Sequence, residues 1–130
     1  MSTPFRAGAV LYAKNLALVQ AFYAVVAGLG VQHAENNHVV LESPGFLLTV
    51  VEISERIAST IEITNPPRRR IETPIKLVFP VASLEATRAL AASHGGELNA
   101  PEREWEFLGR RVCDGQDPEG NVVQFWQDKP

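Results

Sequence analysis

Hydrophobic residues recur at helical spacing in two segments of the chain. Asn15 is a favourable N-cap residue, and the apolar positions that follow it recur every three or four residues until Gly28. We therefore predict a helix over residues 16–28. Ser83 offers the same kind of cap to a second apolar stripe, which ends at His94 before a Gly-Gly pair. The same helical pattern thus occurs twice along the chain.

Short apolar runs around both helices predict β-strands. Residues 9–13 precede the first helix and residues 75–81 precede the second, and both runs are too short for a helix. Further strands are predicted at residues 32–34, 38–42 and 46–53 and, after the second helix, at residues 97–99, 110–114 and 121–127. One such unit leaves half of its sheet uncovered, whereas two can bury a face together, so we predict an α+β fold of two tandem βαβββ modules.

The predicted modules lie within one domain over residues 1–130. We place the first module at about 5–55, a linker at about 64–73 and the second module at about 74–128. The linker contains a Pro-Pro pair and three consecutive arginines, Arg68 to Arg70, which suit either an anion site or a solvated connector. We interpret it as a solvated connector, because the acidic total charge does not favour anion binding.

Composition and charge limit the classes of function that the protein can have. The 130 residues are 45% hydrophobic and 21% charged, which is typical of a globular protein with a core. The net charge of −3 argues against a nucleic-acid partner. The apolar stretch 16–31 is interrupted and too short for a bilayer, and residues 1–7 lack a signal-peptide pattern. With Cys113 as the single cysteine, we expect a cytoplasmic protein without a membrane partner.

A turn motif near the C-terminus carries a family resemblance. Asp-Pro-Glu-Gly-Asn at residues 117–121 is good turn chemistry and runs directly into the strand sequence Val-Val-Gln-Phe-Trp at 122–126. The resemblance is also carried by Val-Leu-Tyr-Ala-Lys-Asn-Leu at residues 10–16 and by Phe22-Tyr23. In a tandem βαβββ chain, these segments resemble the glyoxalase/bleomycin-resistance/dioxygenase family, also called vicinal oxygen chelate proteins. The resemblance covers essentially the whole chain and implies a curved mixed sheet that encloses a cavity.

The resemblance also implies where a divalent metal would be held. The four metal-ligand positions of the family correspond to Gly8, Thr49, Lys76 and Gln124 in this sequence. Glycine offers no donor, an ammonium repels a cation, and a threonine hydroxyl and one amide carbonyl are weak ligands. We therefore expect no metal ion and no other cofactor.

The remaining chemistry-bearing residues suggest structural roles. His33 and His38 lie near a turn with Glu35 between them, and we interpret them as a solvated strand end because a third ligand is missing. His94 closes a helix. Cys113 lies in a predicted strand beside Asp114, which favours a structural thiol.

Strand alternation and the resemblance together define a candidate cavity. Alternation places Tyr12 on one face of its strand, and the resemblance implies that this face lines the cavity. The other expected lining residues are Thr49, Lys76, Gln124 and Trp126, with Trp105 near the rim. We expect Lys76 either to form an ion pair or to contact an acidic ligand. The acidic segment 102–107 around Trp105 is either part of the rim or a solvated loop.

The leading hypothesis is a metal-free homodimer that binds a small, partly apolar molecule in this cavity, similar to the antibiotic-sequestering branch of the family. One alternative is a glyoxalase-like lyase or isomerase, which either depends on a metal or uses Lys76, Tyr12 or Gln124 as acid–base or oxyanion groups. Another alternative is a pure dimerisation module with a vestigial cavity. Metal analysis separates the first two hypotheses, and a ligand screen separates both from the third.

Overall fold

The first half of the chain forms a four-stranded sheet with one helix across it. A computed structural model describes residues 6–129; residue 5, where the first module is predicted to begin, lies outside them. The elements are β1 (Gly8–Ala13), α1 (Leu16–Val25), β2 (Gly30–Ala34), β3 (His38–Ser43) and β4 (Phe46–Glu52). The strand order is β1-β4-β3-β2, with β1 parallel to β4 and the other pairs antiparallel.

The second half repeats this arrangement with one interruption. After a short helix α2 (Glu55–Ala58), its elements are β5 (Leu77–Val81), α3 (Leu84–Ser93), β6 (Glu97–Leu98), a 3-10 turn (Pro101–Arg103), β7 (Trp105–Phe107), β8 (Arg110–Gln116) and β9 (Val122–Asp128). The strand order is β5-β9-β8-β6, and β7 also pairs with β8. Because β6 and β7 pair with successive parts of β8, they take the place of β2 in the first sheet. The predicted α+β fold is confirmed.

Both predicted helix caps are present. The Asn15 side chain accepts a hydrogen bond from the Leu18 N–H, and the Ser83 hydroxyl accepts one from the Ala86 N–H. The first helix ends at Val25, earlier than the predicted residue 28. The reason is that Gly28 adopts a φ of +73°, which reverses the chain.

Two further predictions need correction, and two short elements were missed. The predicted strand 75–81 begins only at Leu77, because its partner β9 begins at Val122 and no described residue pairs with residue 75. The short elements α2 and β7 were not predicted. The segment 102–107 is not a solvated loop, since it contains β7 and the Glu104 side chain is only 7% exposed.

Glu104 is held by two arginines. Its carboxylate accepts hydrogen bonds from Arg88 at 2.5 Å and from Arg111 at 2.7 Å. Burial alone would raise the pKa of Glu104, but these two hydrogen bonds lower it below the ordinary value. Arg88 also donates to Cys113, which is fully buried as its structural interpretation requires. Burial raises the pKa of the Cys113 thiol, so the thiol is a poor nucleophile.

The halves share one hydrophobic core. Helix α1 contributes Phe22 and Tyr23, both fully buried. Phe79 of β5 packs against Tyr23 at 5.8 Å and against Phe46 of β4 at 6.0 Å between ring centroids. Phe125 of β9 extends this aromatic cluster. Because Phe79 touches rings from the first half, the two sheets bury their inner faces together.

The Asp-Pro-Glu-Gly-Asn turn joins the halves by hydrogen bonds. Buried Asp117 accepts from the Tyr23 hydroxyl at 2.8 Å and from the Asn121 side chain at 2.9 Å. Burial raises the pKa of the Asp117 carboxyl, although these hydrogen bonds act in the opposite direction. The Glu119 carboxylate accepts from the backbone N–H groups of Lys14 at 2.9 Å and Asn15 at 2.7 Å. The motif that carries the family resemblance is therefore a clasp between the modules.

The linker is docked rather than solvated throughout, which corrects its sequence interpretation. Arg69 donates to the side chains of Gln116 and Asn99, both at 2.7 Å. The Arg70 N–H donates to the Gly120 carbonyl at 2.9 Å. A Cβ at Gly120 would lie 2.2 Å from the Arg68 carbonyl oxygen, so this approach requires glycine. Arg68 and Arg70 are exposed.

Within residues 6–129, no helix has both the length and the apolar character that crossing a bilayer would need.

Candidate ligand-binding site

Each sheet has one buried face and one open face. In the first sheet, Leu48 and Val50 are fully buried, and the residues between them point to the other side. Val10 is 58% exposed and Tyr12 is 64% exposed. We call this surface the first open face; it comprises Val10, Tyr12, Thr49 and Val51. Tyr12 and Thr49, two of the predicted site residues, therefore share one face on adjacent strands.

The second sheet has a corresponding surface. Gln124 pairs with Val78 and Asp114, and Trp126 pairs with Val112, which in turn pairs with Trp105. Residues paired across strands lie on the same face. We call this surface the second open face; it comprises Val78, Trp105, Phe107, Asp114, Gln124 and Trp126.

A chain of polar side chains crosses the second open face. Lys76, directly before β5, donates to Asp114 at 2.7 Å, and Gln124 donates to the other Asp114 oxygen at 3.1 Å. The Trp126 indole N–H donates to the Gln124 carbonyl at 2.5 Å. The ammonium of Lys76 is thus already paired with a carboxylate, and the Gln124 amide donates one N–H to Asp114 and accepts through its oxygen from Trp126.

Aromatic rings lie beside this polar chain. Phe107 packs edge-on against Trp126 with ring centroids 5.7 Å apart, and the Arg110 guanidinium lies 5.9 Å from the centre of the Trp126 ring. Trp105 is 39% exposed and Phe107 is 51% exposed. The result is an aromatic surface with hydrogen-bonding groups along one side.

The six predicted site residues therefore fall into two groups. Lys76, Gln124 and Trp126 are connected by hydrogen bonds through Asp114, with Trp105 in the same cross-strand row as Trp126. Tyr12 and Thr49 lie on the other sheet, and no hydrogen bond connects the two groups within residues 6–129. An acid–base pair of Lys76 and Tyr12 thus has no geometric support within the described chain.

Sequence reasoning missed two contributors to this surface. Asp114 was considered only as a neighbour of Cys113, and its pairing with Lys76 spans 38 positions. Phe107 was hidden within the charged segment 102–107. The alternation of Trp105 with Phe107 was the signal for a strand with both rings on one face.

The metal-ligand positions do not form a donor set that fits a divalent cation. A Cβ at Gly8 would lie 2.2 Å from the Leu47 carbonyl oxygen, so a ligating side chain at this position would clash. Lys76 brings an ammonium, and the Gln124 carbonyl already accepts from Trp126. No group of three His, Cys, Asp or Glu residues in the described part of the chain is placed to hold a metal ion.

The two histidines of the first sheet lie at its outer hairpin. Their ring centroids are 5.7 Å apart, and His33 contacts Glu35 at 3.1 Å. The side chains of His33 and Glu35 are 53% and 56% exposed, as expected for a solvated strand end. His94 is the C-cap of α3, and its ring lies 2.9 Å from the Leu90 carbonyl oxygen.

Solved structures share this arrangement of two sheets. A glyoxalase/bleomycin resistance protein from Albidiferax ferrireducens T118 matches with a TM-score of 0.65 and 18% identity over 95% of this chain and 98% of that chain. The chain has the glyoxalase/bleomycin resistance fold. A family enzyme from Burkholderia phytofirmans PsJN, described as a glyoxalase/bleomycin resistance protein/dioxygenase, shows the fold with a TM-score of 0.70 and 15% identity, over 95% and 98% of the chains.

A bleomycin resistance determinant encoded on the transposon Tn5 shares the glyoxalase/bleomycin resistance fold as well. Its TM-score is 0.60 at 16% identity, over 98% of this chain and all of that chain. No sequence-family model matches the chain, and no curated protein matches it by sequence. The similarity at these identities concerns the fold.

Proposed function

We propose that the protein binds a small, partly apolar molecule on its second open face, without a metal ion. The observation that carries this proposal is the aromatic surface of exposed Trp105 and Phe107 and half-buried Trp126 next to the polar chain that ends at Lys76. Rigid strands present these rings, so little conformational entropy is lost when a flat molecule stacks on them. The fold that this chain shares with a bleomycin resistance determinant supports a small-molecule ligand.

The polar chain indicates the character of the ligand. Asp114 offsets the charge of Lys76 at a distance of 2.7 Å. A carboxylate ligand would have to compete with Asp114 for the ammonium, whereas a neutral aromatic molecule need not disturb the pair. We therefore expect neutral aromatic molecules to bind at least as well as anionic ones.

A second copy of the chain completes the cavity in this proposal. Val10 and Tyr12 leave an apolar first open face in contact with solvent, and the second open face is also apolar over much of its area. Pairing the first open face of one copy with the second open face of another would bury both surfaces. Tyr12 and Thr49 of the partner copy then line the cavity. In this proposal the homodimer is cytoplasmic.

Ligand binding is tested with 2-naphthol and 2-naphthoate as a neutral and an anionic probe. We expect 2-naphthol to quench tryptophan fluorescence saturably and Phe107→Ala to weaken its affinity about three- to tenfold, the usual value of one aromatic contact. Val25→Ala, at an exposed apolar position on α1, is the matched control and should leave the affinity unchanged. Lys76→Met should affect 2-naphthoate more than 2-naphthol.

Equal affinity of the Phe107→Ala and Val25→Ala proteins for the probe would contradict binding on this face. A protein that dimerises but binds neither probe would instead be a dimerisation module. Light scattering should report about twice the 14.3 kDa of one chain. Val10→Lys should give a monomer and Val25→Lys should not, and a strict monomer for the unaltered protein contradicts the shared cavity.

A further inference from the structure

A large cleft lies apart from both open faces. Its volume is about 1020 Å³, and it opens where β1 runs into α1, beside the linker and the Asp-Pro-Glu-Gly-Asn turn. None of the six predicted site residues lines it. The volume is at the upper end of the range found for small-molecule sites, roughly 300–1,000 Å³. The cleft is therefore large enough for an organic ligand.

The walls of this cleft are largely apolar. Helix α1 contributes Ala17 and Leu18, the linker and the residue before it contribute Pro67 and Ile63, and the turn contributes Pro118. Leu18 is 42% exposed, which places its side chain in contact with solvent. These walls favour a ligand with an apolar body.

Two carboxylates give the cleft its charge. Glu119 is only 5% exposed, and its oxygens accept hydrogen bonds from the N–H groups of Lys14 and Asn15, neither of which is charged. Within residues 6–129, no cationic side chain lies within ion-pair distance of Glu119. Glu52, exposed at the rim, also forms no ion pair with a described residue. The two N–H groups at the start of α1 satisfy both Glu119 oxygens without a full positive charge, so negative charge remains in the cleft for a cationic ligand.

Lys14 is the one cationic side chain among the lining residues of the described chain. Its ammonium donates to the Ile61 carbonyl oxygen, which precedes the linker, and lies outside ion-pair distance of Glu52 and Glu119. The carboxylates therefore outnumber the cation in the cleft by one. An incoming ammonium group would meet carboxylate charge that Lys14 does not pair with.

We propose that this cleft binds a small organic amine, with its ammonium toward Glu52 and Glu119 and its apolar body against α1 and the linker. The site is independent of the aromatic second open face. It would give the protein a second ligand class, distinguished from the first by charge.

The test uses three probes of matched shape, namely 2-phenylethylamine, 2-phenylethanol and phenylacetate. We expect the amine to bind more tightly than the alcohol, and the acid to bind most weakly. In nitrogen–proton NMR spectra, the amine should shift the backbone signals of Ala17, Ala34 and Gly95, which line the cleft. The indole N–H signals of Trp105 and Trp126 report on the second open face and should stay in place.

Two variants and one control variant sharpen the test without touching the clasp. Glu52→Gln should weaken the amine about threefold, the value of one exposed charge pair, and leave the alcohol unchanged. Glu85→Gln, at an exposed carboxylate on α3, is the matched control. Ala17→Phe fills the cleft from an exposed helix position and should abolish the shifts.

Three results would overturn the proposal. One is equal affinity for the amine and the alcohol. Another is a set of shifts confined to the indole signals, which would assign the amine to the second open face. The last is the absence of any cleft shift at millimolar amine. Failure of 2-naphthol to bind on the second open face would leave the cleft result unaffected, so the two sites are tested separately.

Discussion

The two open faces are built on the same strand order but carry different surfaces. On the first, neither Tyr12 nor Thr49 makes a side-chain hydrogen bond to another described residue, and Tyr12 is 64% exposed. On the second, the Trp126 ring contacts Phe107 and Arg110, and its N–H bonds to Gln124. The repeated topology thus fixes where side chains lie, while the residues themselves decide which face can orient a ligand.

The difference also separates two physical tasks. The second face has rings and hydrogen-bonding groups held in place by their own contacts, which is the preorganisation that specific binding requires. The first face has exposed side chains with freedom to move, which suits a surface that becomes ordered only when it is covered. Substitutions at matched positions of the two halves test whether the two faces differ in this way.

The largest effect is expected from truncating an aromatic ring on each face. Trp126→Ala should lower the free energy of unfolding by about 3 kcal/mol, because the half-buried indole loses its packing and its hydrogen bond. Tyr12→Ala should cost less than about 0.5 kcal/mol, since the ring is exposed. Urea denaturation of both variants measures the difference. Similar losses for the two would mean that the faces are equally ordered.

Substitutions at two glycines test how closely β1 must approach β4 in the first sheet. In Gly8→Ala, the new Cβ would lie 2.2 Å from the Leu47 carbonyl oxygen, so β1 must move away from β4. We expect a loss of about 2 kcal/mol, as for other overpacked positions. Gly45→Ala is the control, because a Cβ there meets no atom within 4 Å. If thermal denaturation shows the same stability for both variants, β1 adjusts freely.

A smaller effect is expected from the ion pairs of the two halves. Glu104 is held by two arginines and is 7% exposed, whereas Glu42 pairs with Arg6 and is 35% exposed. Glu104→Gln should cost about 1–2 kcal/mol at pH 7 and Glu42→Gln less than about 0.5 kcal/mol.

The pH dependence of stability tests whether the contribution of Glu104 is electrostatic. The folded protein lowers the pKa of Glu104 from its usual 4.5, so its stabilisation is present above that value and is lost as the pH falls through the lowered pKa. The unaltered protein and Glu104→Gln should therefore converge in stability in strong acid. A constant difference down to low pH would show that the contribution is not electrostatic.

Local patterns in the sequence predict helices α1 and α3 and most of the strands. Asn15 and Ser83 combine a capping side chain with an apolar stripe, and both caps are present. The strand β7 was missed because Glu106 separates its two aromatic residues in a three-residue element. A pattern that short does not distinguish a strand from a loop.

Contacts between distant residues account for the rest. The partner of Lys76 lies 38 positions away, and Arg69 reaches Gln116 over 47 positions. Such pairs depend on the register of whole strands, which composition and periodicity do not specify. The same reason explains why the cleft beside α1 had no signal in the sequence, since at least six separate stretches of the chain line it.

The clasp has a consequence for how the protein folds while it is being synthesised. Glu119 completes the β1–α1 turn across 104 and 105 positions, and Asp117 reaches Tyr23 across 94. At typical translation rates, α1 leaves the ribosome on the order of ten seconds before these partners exist. Helix α1 has no charged side chain, and its polar side-chain groups are the Gln20 amide and the Tyr23 hydroxyl. The nascent first half can pack α1 on its own sheet, but the Tyr23 hydroxyl and the Lys14 and Asn15 N–H groups lack these partners until the chain is nearly finished, and that interval is when it is most open to aggregation or to a chaperone.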